Sequence, residues 1–256
     1  MTTAQAFVRR DPARSYGRQA VTGLGLAAAV FGSWLAIHVF GVFLFHPTGR
    51  AWLAAPVLVG LQCWLSVGLF IVAHDAMHGS LAPFRPRLNR AVGRIALLAY
   101  GGLWYDDLVE RHFAHHRAPG TEHDPDFAGD GTLGVVRWFV AFFAEYLTIG
   151  QLARQTGLAA LYLFGFGVDA NNLLLFWALP ALLSAVQLFY FGTYLPHRGE
   201  AQYFADQHRA RTNEFSALVS LLTCFHFGYH HEHHLQPSAP WWRLPKIHRE
   251  NGAAPS

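Results

Sequence analysis

Lysine occurs once, at Lys246, cysteine twice, and charged residues make up only 14% of the 256-residue chain. A soluble domain carries about 25% charged residues. The scarcity of charge, beside 52% hydrophobic residues, points to an integral membrane protein built as a single catalytic domain over residues 1–256. Cys63 and Cys224 both stand in apolar stretches, and neither belongs to a C-x-x-C. A disulfide framework and a zinc ribbon are therefore excluded, and the two read as core thiols. Apart from Lys246 every cationic side chain is Arg, and no basic stripe is interleaved with aromatics. That pattern fits arginines facing headgroups and excludes a nucleic-acid partner.

No cleaved leader is expected either. Arg9, Arg10, Arg14 and Arg18 precede an apolar run, Val21 to Phe45, in the manner of a signal peptide, but the run exceeds the roughly 7–15 residues of a cleaved segment. It is read as an uncleaved span, since about 20 apolar residues suffice to cross a bilayer. Trp52 to Ala73, Leu152 to Val168 and Leu173 to Leu195 supply three more expected crossings. Ala91 to Trp104 and Gly131 to Gly150 read as interfacial or partly inserted helices. Residues 1–18 form a polar N-terminal segment, and residues 241–256, beginning W-W-R-L-P-K, an interfacial tail. The expected fold is all-α, with about four transmembrane helices plus interfacial ones. His38, inside the first span, is assigned to helix packing or the interface.

What the chain has in quantity is histidine, 16 in all. His74 and His78 form H-x-x-x-H at the end of the second span. A zinc-protease reading of that motif needs Glu after the first His, and Asp75 stands there. His112, His115 and His116 form H-x-x-H-H, followed by His123-Asp124-Pro125-Asp126, a turn able to aim carboxylates at imidazoles. His230, His233 and His234 repeat H-x-x-H-H. On a helix this i, i+3, i+4 spacing puts three rings on one face, and imidazole is a common ligand for redox metals. His197 ends the fourth span.

The short loops expected on the far side of the membrane carry one Arg, Arg50, while the N-terminus, the histidine-bearing loops and the tail hold nearly all the others. The positive-inside rule then puts both termini and all the histidine boxes on the cytoplasmic face. Nine imidazoles gathered at one surface exceed the three or four protein ligands of a zinc site, so two metals are the economical reading. Imidazole alone does not choose among iron, copper, nickel and zinc. Haem needs only one or two axial histidines, which the doublets do not help. A metal transporter would hold its ligands near mid-membrane, whereas these cap the spans.

The three boxes with four spans resemble the membrane fatty-acid desaturase and hydroxylase superfamily. H-D-A-M-H-G-S-L-A-P from His74, H-H-R-A-P-G-T-x-x-D-P-D-F from His115, F-G-T-x-L-P-H-R ending at Arg198 and L-L-T-C-F-H-F-G-x-H-H-E-H-H-L ending at Leu235 are similar to the bacterial carotenoid ketolases. The resemblance runs from about Leu65 to Trp242. It implies a non-haem di-iron oxygenase of the inner membrane that uses two Fe2+ ions, O2 and an external electron donor such as reduced ferredoxin. It also implies oxidation of the C4 methylene of a β-ionone ring to a ketone, carrying β-carotene to echinenone and canthaxanthin, and hydroxylated rings toward astaxanthin. A fatty-acid desaturase or a carotenoid hydroxylase is the alternative within the superfamily.

By the same resemblance, one iron takes His74, His78, His112, His116 and one of His233 and His234. The other takes His115, His197, His230 and the remaining member of that doublet. Asp75, Asp124, Asp126 and Glu232 each read either as a carboxylate that orients a ligating ring or as a loop-capping acid. His226, four residues before His230, can share its face if the helix extends that far, and His231 is expected to point elsewhere as a supporting residue. His208 is expected to be exposed, and it and His248 to matter little.

Overall fold

The computed structural model describes residues 12–46, 48–129 and 131–252. Arg9 and Arg10 of the polar N-terminal segment and the last four residues of the tail lie outside them. Among the described residues every regular element is helical.

Three helices are long and apolar enough to cross a membrane: Ser15–Leu44, Gly49–Met77 and Ala170–His197. We call the regular part of the first α1 (Pro12–Val39) and of the second α2 (Ala55–Met77). The third, Ala170–His197, is α7. Between them lie α3 (Pro86–Gly101), α4 (Tyr105–Arg117), α5 (Val135–Tyr146) and α6 (Ile149–Ala160). Three short helices close the chain: α8 (Ala217–Cys224), α9 (His230–Leu235) and α10 (Leu244–Gly252).

The expected third crossing, Leu152 to Val168, differs from the structure. Its residues as far as Gly165 belong to a second arm, Ile149–Gly165, bent by 85° from Val135–Tyr146. Only the pair together has the length and hydropathy of a span. Thr148 causes the restart: it is extended, and its side chain accepts from the Gln151 amide as an N-cap.

α2 is the central pillar. It is 61% buried over its most apolar window, against 28% and 33% for the other two spans. Val67, Leu69, Ile71, Val72 and Ala73 pack against α1, α3 and the segment after α8. Neutral hydrogen bonds pin the crossings where no water competes: Trp34 Nε1 to Ser66 Oγ at 3.1 Å, Asn172 Nδ2 to the Phe45 carbonyl at 2.8 Å, and Gln187 Nε2 to the Thr223 carbonyl at 2.6 Å. His38 belongs to this scaffold. Its ring stacks on Trp34 at 4.9 Å and its Nε2 meets the Tyr162 hydroxyl at 3.0 Å.

α2 and α7 both run toward the histidines and end on them. α1 begins at that same level, where Gln19 Nε2 donates to the Ser80 carbonyl at 2.7 Å. Arg243 of the tail donates to Gln19 Oε1 at 3.3 Å. The described start of the chain, the ends of two spans and the tail thus meet on one side.

Candidate metal centre

α4 and α9 sit across from one another over the ends of α2 and α7. Consecutive residues on a helix point about 100° apart, so an His-His doublet sends one ring to each side. The structure uses both doublets this way. His74, His78, His112, His116 and His233 form one group, and His115, His197, His230 and His234 a second, the candidate ligand atoms of each lying within 4.8 Å of one another. The groups are neighbours, with the rings of His116 and His234 stacked at 4.4 Å. All nine candidate ligand residues are thereby brought together.

The fit to metal is tested by the nitrogens themselves. His112 Nε2 lies 2.7 Å from His78 Nε2 and 3.1 Å from His116 Nε2, and His116 Nε2 lies 3.0 Å from His233 Nε2. In the second group His234 Nε2 lies 3.2 Å from His115 Nε2 and 3.1 Å from His230 Nε2. Facing lone pairs at this range repel unless a proton or a cation lies between them. The one proton of a neutral ring can bridge only one such contact, whereas the Nε2 atoms of His112, His116 and His234 each face two nitrogens. Burial disfavours a second proton on most of these rings. Burial, and then the charge of neighbouring imidazoles, holds His112, His230, His233 and His234 well below the usual histidine range. The same causes bring His78 to about 4 and His116 to about 2. Both ring nitrogens of His74 and Nε2 of His197 are buried without partners. Two nitrogens bound about 2.1 Å from one metal at right angles stand about 3.0 Å apart. The spacing, the neutrality and the orphaned nitrogens all fit metal ions held by imidazole.

Outer contacts fix two of the rings. His115 donates from Nδ1 to Asp124, at 2.9 and 3.0 Å from the two oxygens. Burial opposes charging of His115, but that hydrogen bond and the charges of Asp126 and Asp124 outweigh it and raise its pKa. Asp124 is itself held by the amides of Gly120 at 2.8 Å and Asp126 at 2.9 Å. His197 donates from Nδ1 to the Arg209 carbonyl at 2.8 Å. In both rings the donated Nδ1 proton leaves Nε2 as the free lone pair. Asp126 stands further off, 3.9 Å from His115 Nδ1, and accepts from the Tyr146 hydroxyl.

Four expected supporting residues lie elsewhere. Asp75 accepts from the Trp241 amide at 3.2 Å, not from a ring N–H, and so ties the first box to the tail. Glu232 accepts from Thr212 and, at 2.7 Å, from His248 Nδ1. His226 is not on the face of His230. Phe225 and His226 take positive φ, +48° and +63°, which ends α8 and turns the chain before α9, and the His226 ring stacks near Tyr229 and Trp241. His231 points away and pairs with Asp206 at 2.8 Å. Two further expectations need correction. His208 is half-buried, its ring 6.1 Å from that of His234. His248 stacks on Tyr229 at 4.7 Å besides holding Glu232.

Arg209 is a contributor that the sequence does not reveal. Its carbonyl orients His197, while its Nη1 donates to the Gly120 carbonyl at 2.5 Å, beside the amide that holds Asp124. Any residue owns a carbonyl, so no signal marks it. Phe227 is another. Its ring packs against His74 at 4.6 Å and His230 at 4.7 Å, one from each group. A cavity of about 510 Å³ is lined by His74, His112, His115 and His230 at one part and by Trp177 and Ala159 at another. Its wall is largely apolar, with Phe70, Phe139, Phe142, Phe143 and Phe189 prominent.

The profile of the fatty acid desaturase family matches residues 50–156 and 131–255. Over 235 residues the chain is 46% identical to a β-carotene ketolase of Paracoccus sp. (strain PC1), covering 91% of this chain and 95% of that protein. It is 37% identical to a β-carotene ketolase of Haematococcus lacustris, over 90% of this chain and 80% of that one. A zeaxanthin 4-ketolase of Chlamydomonas reinhardtii is 38% identical over 93% of this chain and 56% of its own length.

Proposed function

From the premise that this chain belongs to the fatty acid desaturase family, and within it to the β-carotene ketolases, we propose that it is a di-iron oxygenase converting the C4 methylene of β-ionone rings to a ketone. Carotenoid ketolase activity is the function its relatives support. The observation that carries the finer reading is the pairing of two adjacent imidazole groups with one apolar cavity that touches both.

His74, His78, His112, His116 and His233 would hold one iron, and His115, His197, His230 and His234 the other. Bound iron would supply activation of O2 and removal of hydrogen from the C4–H bond, chemistry that protein side chains lack. Each oxygenation takes one O2, two electrons and two protons, and releases one water. A second hydroxylation at C4 gives a gem-diol that loses water to become the ketone.

The chain's own part is to bind, orient and exclude. A carotene offers no hydrogen-bonding group, so its binding rests on apolar burial against the phenylalanine-rich wall, about 25 cal/mol per Å². Fixing one ring under the imidazoles sets which carbon reacts. Asp124 and the Arg209 carbonyl hold His115 and His197 as Nδ1–H tautomers, with Nε2 facing inward. Phe227 walls both groups at once.

The histidine face is assigned to the cytoplasm. Arg50 is the sole Lys or Arg in the two segments joining spans on the opposite side, 45–54 and 166–169. In a bacterium this puts the protein in the inner membrane, within reach of a soluble donor of the ferredoxin class.

The test is expression in a bacterium that accumulates β-carotene, with product and metal analysis. Echinenone and canthaxanthin, with two irons per chain, are the expected results. A C3 alcohol or an oxidised acyl chain as the only product rejects the reaction, and a single bound metal rejects the two-iron site.

A further inference from the structure

The cavity is long as well as apolar. Along α7 its wall runs through Trp177, Ala181, Ala185, Leu188 and Gly192, steps of three and four residues that stay on one helical face. At a rise of about 1.5 Å per residue, Trp177 stands about 22 Å along the helix from Gly192. A second helix gives a similar depth. Gln19 of α1 is held at the level of the histidine boxes by its bond to Ser80, and His38 lies about 28 Å further along α1. His38 Nε2 meets the Tyr162 hydroxyl at 3.0 Å, and the Tyr162 ring packs against Trp177 at 5.6 Å. The far end of the cavity is therefore most of a bilayer core, about 30 Å, away from the imidazoles.

That end is firmly built. Trp177 is half-buried and backed by Tyr162. Tyr162 is held in turn by His38 and by the Phe43 ring, edge-on at 5.4 Å. Ala159 of α6, one turn before Tyr162, lines the same end of the cavity and contributes only a methyl group. An indole face with a small residue beside it leaves room for a flat or cyclic hydrocarbon.

The reaction itself needs only the near ring. A carotene with a ring at each end is a rigid rod, about as long as a bilayer core is thick, about 30 Å. With one ring beneath the imidazoles, its polyene would follow the α7 face and its second ring would arrive at Trp177. We propose that Trp177 and Ala159 form a subsite for the ring that is not reacting, so that the chain selects its substrate by length and by both ends. The inference rests on the ketolase reading. Contacts to a remote, non-reacting part of a substrate can be used to hold the reacting part in place. Because the two rings stand at opposite ends of the cavity, only one is oxidised in each binding event.

Membranes containing the full-length wild type, Trp177→Ala or Ala159→Phe are given equimolar β-carotene and β-apo-8′-carotenal, which keeps one β-ionone ring and lacks the other with its adjoining polyene. Initial ketone formation from each, in competition, gives the ratio of kcat/KM. The wild type is expected to favour β-carotene about tenfold. That preference should be lost in Ala159→Phe, whose ring fills the subsite, and should fall about threefold in Trp177→Ala, with iron per chain unchanged in both. Equal turnover of the two substrates by the wild type overturns the proposal. So does a preference that either variant leaves intact, which is what a merely structural role gives, since both substrates then lose alike. If one variant does not insert, the other decides by the same ratio. A wild type that ketolates neither substrate refutes the ketolase reading itself, a distinct outcome.

Discussion

His115 donates from Nδ1 to both oxygens of Asp124, at 2.9 and 3.0 Å, with both residues buried. The carboxylate sits on a turn nine residues after the ring it orients. Removing it leaves His115 free to rotate and to present the wrong tautomer. Asp124→Ala is expected to lower iron affinity by about 10- to 100-fold, in line with other carboxylate–histidine–metal arrangements. Iron retained through a chelator titration measures it. Retention equal to the wild type would show that the pair has no hold on the metal.

The grouping of the rings gives a sharper contrast. Alanine at any of the nine clustered histidines is expected to abolish ketone formation with the protein still inserted. His231→Ala, whose ring pairs with Asp206 at 2.8 Å, should keep most of it. Product analysis of the two sets decides, and undiminished turnover in His115→Ala or His234→Ala would contradict the site.

This contrast also marks how far the residues spoke for themselves. The H-x-x-x-H and H-x-x-H-H spacings are local, and helical periodicity translates them directly into rings on shared faces. The doublets 115–116 and 233–234 likewise imply two sides. What stayed hidden depends on how distant segments meet. Nothing local announces that Arg209 gives its carbonyl to His197, or that the turn at Phe225 and His226 takes His226 off the face of His230. The bent pair α5–α6 was illegible for a related reason. Hydropathy averages over a window and does not register an 85° change of direction caused by one extended capping residue. Asp75 and Glu232 look alike in sequence, as acids beside ligands, yet both tie the boxes to the tail.

Acid sensitivity of the metal-free protein follows from the same burial. His78 and His226 have folded pKa values of about 4, against about 6.5 for a free histidine. His112, His116, His230, His233 and His234 are depressed as well. Between the two values the unfolded state binds more protons, so stability falls as pH drops below about 6.5 and levels off near the folded pKa. His115, raised by Asp124, works in the opposite direction but is outnumbered. The melting temperature of iron-stripped protein in detergent should decline steadily from pH 7 to pH 5. A flat or rising profile would mean that the rings are not buried neutral.

Gly192 makes room for Phe227. A Cβ there would stand 2.8 Å from Phe227 Cδ1 and 3.1 Å from Cε1. Phe227 in turn contacts His74 and His230, so a side chain at 192 presses on both imidazole groups through one ring. Gly192→Val is expected to reduce ketone formation at least tenfold, since displacements of about 1 Å at a positioned site cost on the order of 100-fold. Turnover within twofold of wild type, measured per inserted protein, would show that the wall yields without cost.

The last prediction concerns a contact that belongs to neither metal group. Glu232 stands between His231 and His233 on α9, and its carboxylate is nearly enclosed. Its partners are Thr212 from the loop and His248 from α10. His248 also covers Tyr229, the residue just before α9, by stacking at 4.7 Å. The tail therefore braces the helix that gives one ring to the first group and two to the second. His248→Ala deletes a hydrogen bond to a charged, buried acceptor, worth about 1–3 kcal/mol. The variant should melt earlier and lose iron faster on warming, while keeping its product distribution, because no cavity residue changes. Glu232→Gln should reproduce the lower melting temperature. The double variant should be little worse than either single one, since both remove the same contact. Fully additive losses would place the two residues in separate roles.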